Sequence, residues 1–193
     1  MPSRLSRTIF AVRPGLACVA SKAQGWPRVW LWAPVVIAFG VIACESTGTF
    51  SAQNTSSWLR PIVERITGHI PDNLWGWGHH IFRKSGHLTG YALMCFTFLR
   101  AWLWTRARQP ALSLIGWRLQ SCLVSILCTA AVASLDEWHQ TTIPSRTGAI
   151  ADVGIDTLGA LLGCVVVAFV FQWWRLSQVR ITSAVTAPDR EPA

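Results

Sequence analysis

The sequence predicts an all-α membrane protein, a bundle of about four transmembrane helices with both termini cytoplasmic and a short interfacial helix in the first outer loop. Apolar residues make up 51% of the 193-residue chain and charged residues only 13%, about half the charged share of a soluble domain. Four apolar runs approach the length that a bilayer core of about 30 Å requires of a helix. The chain also holds twelve tryptophans, a residue that favours the membrane–water boundary.

The apolar runs divide the chain into a transmembrane domain and two tails. A soluble bundle of four buried helices would need a polar outer shell, and too few residues remain to supply one. The tail after the domain is rich in Ser, Thr, Pro and Ala and is predicted to be disordered. The predicted spans are 29–44, 85–104, 119–135 and 155–174, within a domain at 29–176 that lies between a basic tail at 1–28 and a tail at 177–193.

The basic residues indicate topology rather than nucleic-acid binding. The net charge is +8, but the arginines lie at the ends of apolar runs instead of clustering on a soluble face. The N-terminal tail, the loop between spans two and three and the C-terminal tail together carry most of them, and the connections 45–86 and 136–154 hold most of the acids. The positive-inside rule therefore predicts cytoplasmic termini and outer acid-bearing connections. Arg13 and Pro14 interrupt the first apolar stretch too early for a secretory signal.

The long 45–86 connection is expected to have structure of its own. Apolar residues recur there at helical spacing after Ser56 and Ser57, which can cap a helix, and Pro61 would fall in or near the first turn. This pattern predicts an amphipathic helix on the outer membrane surface. A Gly-Trp repeat at 75–78 is interpreted as an interfacial anchor, and His79 and His80 as exposed loop residues.

Two polar clusters are the candidates for chemistry. In the first, Lys84, His87 and Tyr91 share one helix face at the start of span two. The second leaves span three and enters span four, and the predicted topology brings both to the outer boundary. Ionisable groups at membrane depth are costly unless paired and so are candidates for function. The combined binding site comprises Lys84, His87, Tyr91, Glu137, His139, Gln140, Arg146, Asp152 and Asp156.

Roles within this site stay open between chemistry and helix pairing. Glu137 and His87 are the candidate catalytic residues, as acid–base groups, whereas Asp136 can simply end span three. Pairs such as Arg146–Asp152 and Lys84–Glu137 could instead tie helices together. No metal site and no cofactor are predicted, because the spacing of His87, Glu137, His139 and Asp152 matches no zinc pattern. The six cysteines show no CxxC, so neither a disulfide framework nor a metal–thiolate site is expected.

Gly159 and Gly163 form a GxxxG pattern in the fourth apolar run. Small residues at this spacing let another helix approach closely in a membrane. Packing, within the bundle or between protomers, is therefore the predicted role, and the oligomeric state stays open.

The ordered motifs resemble the VanZ-like family of bacterial integral membrane proteins. The matching residues are Lys84-x2-His87-x3-Tyr91, then Asp136-Glu137-x2-Gln140-x3-Pro144-x-Arg146-x5-Asp152, then Gly159-x3-Gly163. The resemblance implies a four-helix membrane domain and a link to teicoplanin tolerance at the cell envelope, but no particular reaction. Asp156 stands where the family often shows Asn, which adds a negative charge beside Asp152.

Two hypotheses follow for function. In the first, the protein binds a lipid-linked or cell-wall-related ligand, or a membrane partner, with Lys84 and Arg146 pairing with a phosphate or carboxylate. In the second, it is an intramembrane enzyme that uses Glu137 and His87. A structural scaffold is the remaining alternative. The expected partners are the lipid bilayer and such a precursor. No nucleic-acid partner is expected.

Overall fold

A computed structural model describes residues 28–106 and 114–185 of the chain, and its side chains over 29–106 and 115–170. Every regular element in these ranges is helical. The N-terminal tail and residues 186–193 lie outside the described part. The helices are α1 (Arg28–Glu45), α2 (Ala52–Thr67), α3 (Asp72–Arg106), α4 (Leu114–Gln140) and α5 (Ile150–Val185), with a short 3-10 helix at Gly48–Phe50.

The long helix α3 forms the centre of the bundle and packs against α5, α4 and α1. On the side of α1, the Trp32 ring meets Trp102 edge-on, with the ring centroids 5.1 Å apart. On the side of α5, the core contains the fully buried thiol of Cys95, whose Sγ lies 3.6 Å from Sγ of Cys164. The five cysteines at 44, 95, 122, 128 and 164 are free thiols.

The outward faces of the helices are strongly apolar. By length and composition, two segments among the described helices can cross a membrane, Ile115–Gln140 in α4 and Ile150–Val170 in α5, and α1 adds a shorter apolar helix. Only 22% of the most apolar window of each segment is buried, whereas the core helix of a soluble protein would be mostly buried. Leu119, Leu123 and Leu127 of α4, for example, are all more than half exposed. Such a surface is typical of a protein in lipid.

Each predicted span falls inside a helix, but α3 and α5 are longer than predicted. Helix α3 begins at Asp72, directly after Pro71, and the Gly-Trp segment at 75–78 is its first part rather than a loop. An acidic residue in the first turn suits the positive end of the helix dipole. Helix α5 continues to Val185, beyond the predicted end of the fourth span at 174. No Gly or Pro interrupts that stretch.

The predicted surface helix is α2, which starts earlier than expected. Ser51 caps it by accepting a hydrogen bond from the Asn54 amide at 3.3 Å, so Pro61 lies well inside the helix instead of in its first turn. The outward-facing Trp58, Ile62 and Ile66 are 52%, 54% and 82% exposed. They give α2 the unpartnered apolar face expected of a helix at a membrane surface.

Polar contacts tie α2 to the first turns of α3. Arg60 pairs with Glu64 at 3.0 Å and with Asp72 at 2.7 Å, and the amide of Ile70 donates to Glu64 at 3.1 Å. The hydrogen bond from the Ile70 amide, and to a smaller extent the hydrogen bond from Arg60, holds the pKa of Glu64 below its usual value. The prediction that His79 is exposed is wrong. Its ring stacks on Trp75 and is buried, with Nε2 3.2 Å from Oγ1 of Thr55.

Candidate functional site

Polar side chains from α3, α4 and α5 meet at the end of the bundle that also carries α2. The loop between α4 and α5 folds over this end. From that loop, the Arg146 guanidinium donates to the backbone carbonyl of Thr47 at 2.9 and 3.2 Å and also to that of Glu45. The 45–86 and 136–154 connections therefore lie at the same end of the bundle.

A buried row of residues four apart explains why α4 turns Glu137 inward. Ser121, Ser125, Thr129 and Ala133 are fully buried, and Glu137, the next residue in the row, is 3% exposed. The three hydroxyls in this row donate to carbonyls one turn earlier in the helix. The Glu137 carboxylate is therefore the first group in the row that needs a partner from outside α4. One oxygen of Glu137 accepts a 2.8 Å hydrogen bond from the Ala149 amide.

His87, Glu137 and Asp156 converge from three helices. One atom able to bind a metal, a ring nitrogen of His87 or a carboxylate oxygen of Glu137 and Asp156, lies in each side chain within 4.8 Å of the other two. Nδ1 of His87 is 3.3 Å from Oδ1 of Asp156, at ion-pair distance but without the alignment of a hydrogen bond. Asp156 is completely buried. Among the described residues, its two oxygens and the second oxygen of Glu137 have no hydrogen-bond partner.

Lys84 and Asp152 form an ion pair between α3 and α5 at the mouth of this cluster. The sequence-based alternative had paired Lys84 with Glu137 and Arg146 with Asp152, and neither contact is present among the described side chains. Glu137 instead lies beside His87 and Asp156.

Asp136 joins Tyr91 and Gln140. Its Oδ2 accepts hydrogen bonds of 3.0 Å from the Tyr91 hydroxyl and from the Gln140 amide. Both donors are buried, so Tyr91 acts as a hydrogen-bonding residue inside the bundle. The interpretation of Asp136 as a simple helix end missed this role, although its spacing of four from Gln140 was visible in the sequence.

His139 lies apart from the cluster. Its side chain is exposed and borders a groove between α1 and α4 with Phe39 and Leu135. Asp136 and Gln140 are four residues apart and stay on one face, whereas His139 is rotated by about 100° from Gln140. The grouping of His139 with the other site residues is therefore wrong in this structure.

Two cavities open beside the cluster. The first, of about 230 Å³, runs between the end of α1, the start of α2 and α3. The second, of about 200 Å³, lies under the α4–α5 loop beside Lys84 and Asp152. Both cavities are lined by Arg83, His87, Gln140 and Arg146. Arg83 was not among the predicted site residues, although it precedes the predicted Lys84.

The glycines of the GxxxG pattern lie where α5 touches α3. A Cβ atom on Gly159 would collide with the carbonyl of Leu88, and one on Gly163 would come within 3.0 Å of the Ala92 carbonyl oxygen. This close approach brings Asp156, less than one turn before Gly159, against His87 on α3.

Comparison with known proteins identifies the family. The model of the VanZ/LLP1 family matches residues 29–172, which include α1 except its first residue, all of α2 to α4, most of α5 and every residue of the cluster. No curated protein and no solved structure matches the chain. The match covers more than half of the sequence and confirms the resemblance carried by the ordered motifs. The chain therefore belongs to the VanZ/LLP1 family.

Proposed function

We propose that the protein crosses the bacterial cell membrane four times, with both termini cytoplasmic, and binds the anionic headgroup of a lipid-linked cell-wall precursor at the outer end of its bundle. Family membership and the apolar outer faces of α4 and α5 support a membrane location. One observation carries the binding proposal. Arg83 and Arg146 line the same two cavities, and their described hydrogen bonds go to backbone carbonyls instead of carboxylates.

The two guanidinium groups favour an anion between them. Arg83 donates to the Phe50 carbonyl at 2.8 Å, and Arg146 donates to the carbonyls of Glu45 and Thr47. Carbonyls orient a guanidinium without neutralising it. Burial lowers the pKa of both arginines, and the charge of Arg83 lowers the pKa of Arg146 further. A phosphate would compensate both charges and accept bidentate hydrogen bonds.

The arginine pair replaces the pair of basic residues suggested by the sequence. Lys84 and Arg146 had been expected to hold a phosphate or carboxylate, but Lys84 is engaged with Asp152. Arg83, one residue earlier on α3, points into both cavities instead.

The apolar part of the cavity wall suits an amphiphilic ligand. Ile42, Phe50 and Phe82 line the first cavity beside the arginines. At about 230 Å³ the cavity is below the roughly 300–1,000 Å³ of sites that enclose a drug-sized ligand. It therefore suits a headgroup phosphate whose hydrocarbon chain remains in the bilayer. In this proposal the exposed Trp58 and Ile62 of α2 lie among the lipid headgroups.

The experiment compares a polyprenyl phosphate with the uncharged polyprenol of the same length. The purified protein in detergent is expected to show a higher Tm with the phosphate only. Arg83→Ala and Arg146→Ala should each abolish that shift, whereas Arg83→Lys should keep part of it because the charge remains. Arg65→Ala removes an exposed arginine from α2 and serves as the control.

An equal Tm shift with the polyprenol, or an unchanged shift in Arg83→Ala, would contradict the proposal. In cells, the same variants are expected to lose any tolerance to teicoplanin that the wild-type protein confers. Variants that lose Tm without ligand but keep the phosphate-dependent shift would favour a purely structural cluster.

An enzymatic function is the second candidate, favoured by one specific observation. The donor atoms of His87 and Glu137 lie within 4.8 Å of each other, within reach of one bridging water. The phosphate-binding protein would then convert its ligand, and Glu137→Gln would retain the Tm shift but lose turnover. Recovery of unchanged polyprenyl phosphate from prolonged incubation with the wild-type protein would rule out hydrolysis of that substrate.

A further inference from the structure

The triad of His87, Glu137 and Asp156 places two buried carboxylates beside a single imidazole. Asp156 is fully buried and Glu137 is 3% exposed. Lys84, the nearest ammonium, is paired with Asp152, and the arginines bond to carbonyls on the cavity walls. Two buried carboxylates side by side are strongly unfavourable unless a cation compensates them or one carries a proton.

The unsatisfied atoms of the triad point at one another. Both oxygens of Asp156, one oxygen of Glu137 and Nδ1 of His87 are buried without a hydrogen-bond partner among the described residues. Native proteins satisfy nearly all such groups, so a concentration of four in one place needs a physical explanation. A bound cation would explain all of them at once.

We infer that His87, Glu137 and Asp156 bind a divalent transition-metal ion, with Zn²⁺ the best match. An imidazole with two carboxylates is a ligand set that zinc accepts, and three protein ligands leave a fourth position for water or substrate. The donor atoms lie within 4.8 Å of one another. Zinc–ligand distances of about 2.0–2.2 Å would draw them slightly closer, which side-chain rotation can supply.

The proposed metal site lies beside the cavities and is connected to them through His87. His87 lines both of them, together with Arg83 and Arg146. A phosphate held by the arginines would thus lie next to the metal, which could coordinate one of its oxygens. The metal site does not depend on the proposed function, because it is argued from the unsatisfied atoms alone and is tested without a lipid.

The test measures zinc binding by the full-length protein in detergent. The protein is freed of metal with a chelator, incubated with Zn²⁺ and desalted, and the wild-type protein is then expected to retain about one zinc per chain. His87→Gln, Glu137→Gln and Asp156→Asn should each weaken binding by about tenfold or more, because loss of even an outer-shell partner of a metal ligand typically costs about 10–100-fold in affinity. His139→Gln removes an exposed histidine from α4 and is the control that should keep the zinc.

Replacing one metal ligand by another distinguishes loss of metal binding from failure to fold. His87→Cys should still bind the metal, and the Co²⁺-loaded variant should gain a thiolate charge-transfer band that the wild-type protein lacks. Absence of stoichiometric zinc in the folded wild-type protein would overturn the inference and indicate a protonated carboxyl instead. Wild-type affinity in all three triad variants would also overturn it, because the zinc would then bind elsewhere.

Discussion

At the scale of single residues, the half-buried carboxylate of Asp136 shows how the bundle accommodates charge. Its Oδ2 accepts from Tyr91 on α3 and from Gln140 on its own helix, each at 3.0 Å. Hydrogen bonds to an ionised acceptor are stronger than those between neutral groups. The Tyr91 hydroxyl therefore links α3 to α4 through a charge-assisted hydrogen bond, and the Tyr91 side chain is only 2% exposed.

Tyr91→Phe is expected to destabilise the protein by about 1–3 kcal/mol, because the ionised carboxylate of Asp136 loses one of its two hydrogen-bond donors. The change is measured as a lower Tm and a lower denaturant midpoint in detergent. In an Asp136→Asn background, where the acceptor is neutral, the same substitution should cost clearly less. Equal losses in both backgrounds would mean that the hydroxyl does not stabilise the charge of Asp136.

Sequence reasoning at this scale grouped the residues correctly on their own helices but assigned the wrong partners. The spacing of Lys84, His87 and Tyr91 placed them on one face of α3, and they all face α4 and α5. Spacing along one helix carries no information about which residue of a neighbouring helix lies opposite, so it could not show that Lys84 meets Asp152. Arg83 was missed because a single basic residue beside a lysine has no periodic signal.

At the scale of helices, the apolar runs correctly predicted the central part of each long helix, but they did not predict the polar ends. The predicted second span began at 85, whereas α3 begins at Asp72. With 35 residues and a rise of about 1.5 Å each, α3 is roughly 52 Å long and exceeds the bilayer core. Its polar first turns pack on α2, so their stability comes from tertiary contacts that hydropathy does not register.

The packing of α5 on α3 depends on the absence of a side chain at Gly159. A Cβ there would meet the backbone carbonyl of Leu88, and a backbone carbonyl cannot rotate away. Gly159→Ala is therefore expected to lower the free energy of unfolding by about 1–3 kcal/mol, as overpacking typically does. Because α5 would shift away from α3, the variant should also weaken zinc binding at Asp156.

Gly154→Ala is the matched control for this prediction. Gly154 lies on the same helix, and nothing lies within 4 Å of a Cβ added there. Alanine is favoured over glycine inside a helix by about 0.5–1 kcal/mol, so the control should keep or raise the Tm. If both substitutions lowered the Tm equally, close packing at Gly159 would not be the cause.

At the scale of the whole molecule, polar and apolar surfaces are separated along the bundle. The cluster, both cavities and α2 occupy one end, and leucines, valines and phenylalanines cover the sides. At the other end, Arg106 donates to Gln120 at 2.7 Å and lies over the Trp102 ring. Basic residues in the loop beyond Arg106 and in the N-terminal tail favour a cytoplasmic location for that end.

This asymmetry predicts the membrane topology. Single cysteines introduced by Gln53→Cys at the start of α2 and by Thr147→Cys in the α4–α5 loop should react with a membrane-impermeant maleimide in intact spheroplasts. Gln109→Cys, between α3 and α4, should react only after permeabilisation. The background carries Cys44→Ala, because Cys44 is an exposed native thiol, and this background without an added cysteine measures residual labelling.

The labelling pattern separates the alternatives because each step along the chain crosses the membrane in the proposed arrangement. Labelling of all three sites from outside would mean that α3 does not span the bilayer. Labelling of Gln109→Cys alone would invert the topology and place the arginine cavities in the cytoplasm. A cytoplasmic cavity would expose Arg83 and Arg146 to soluble phosphates and nucleotides, so the ligand of the site depends directly on this orientation.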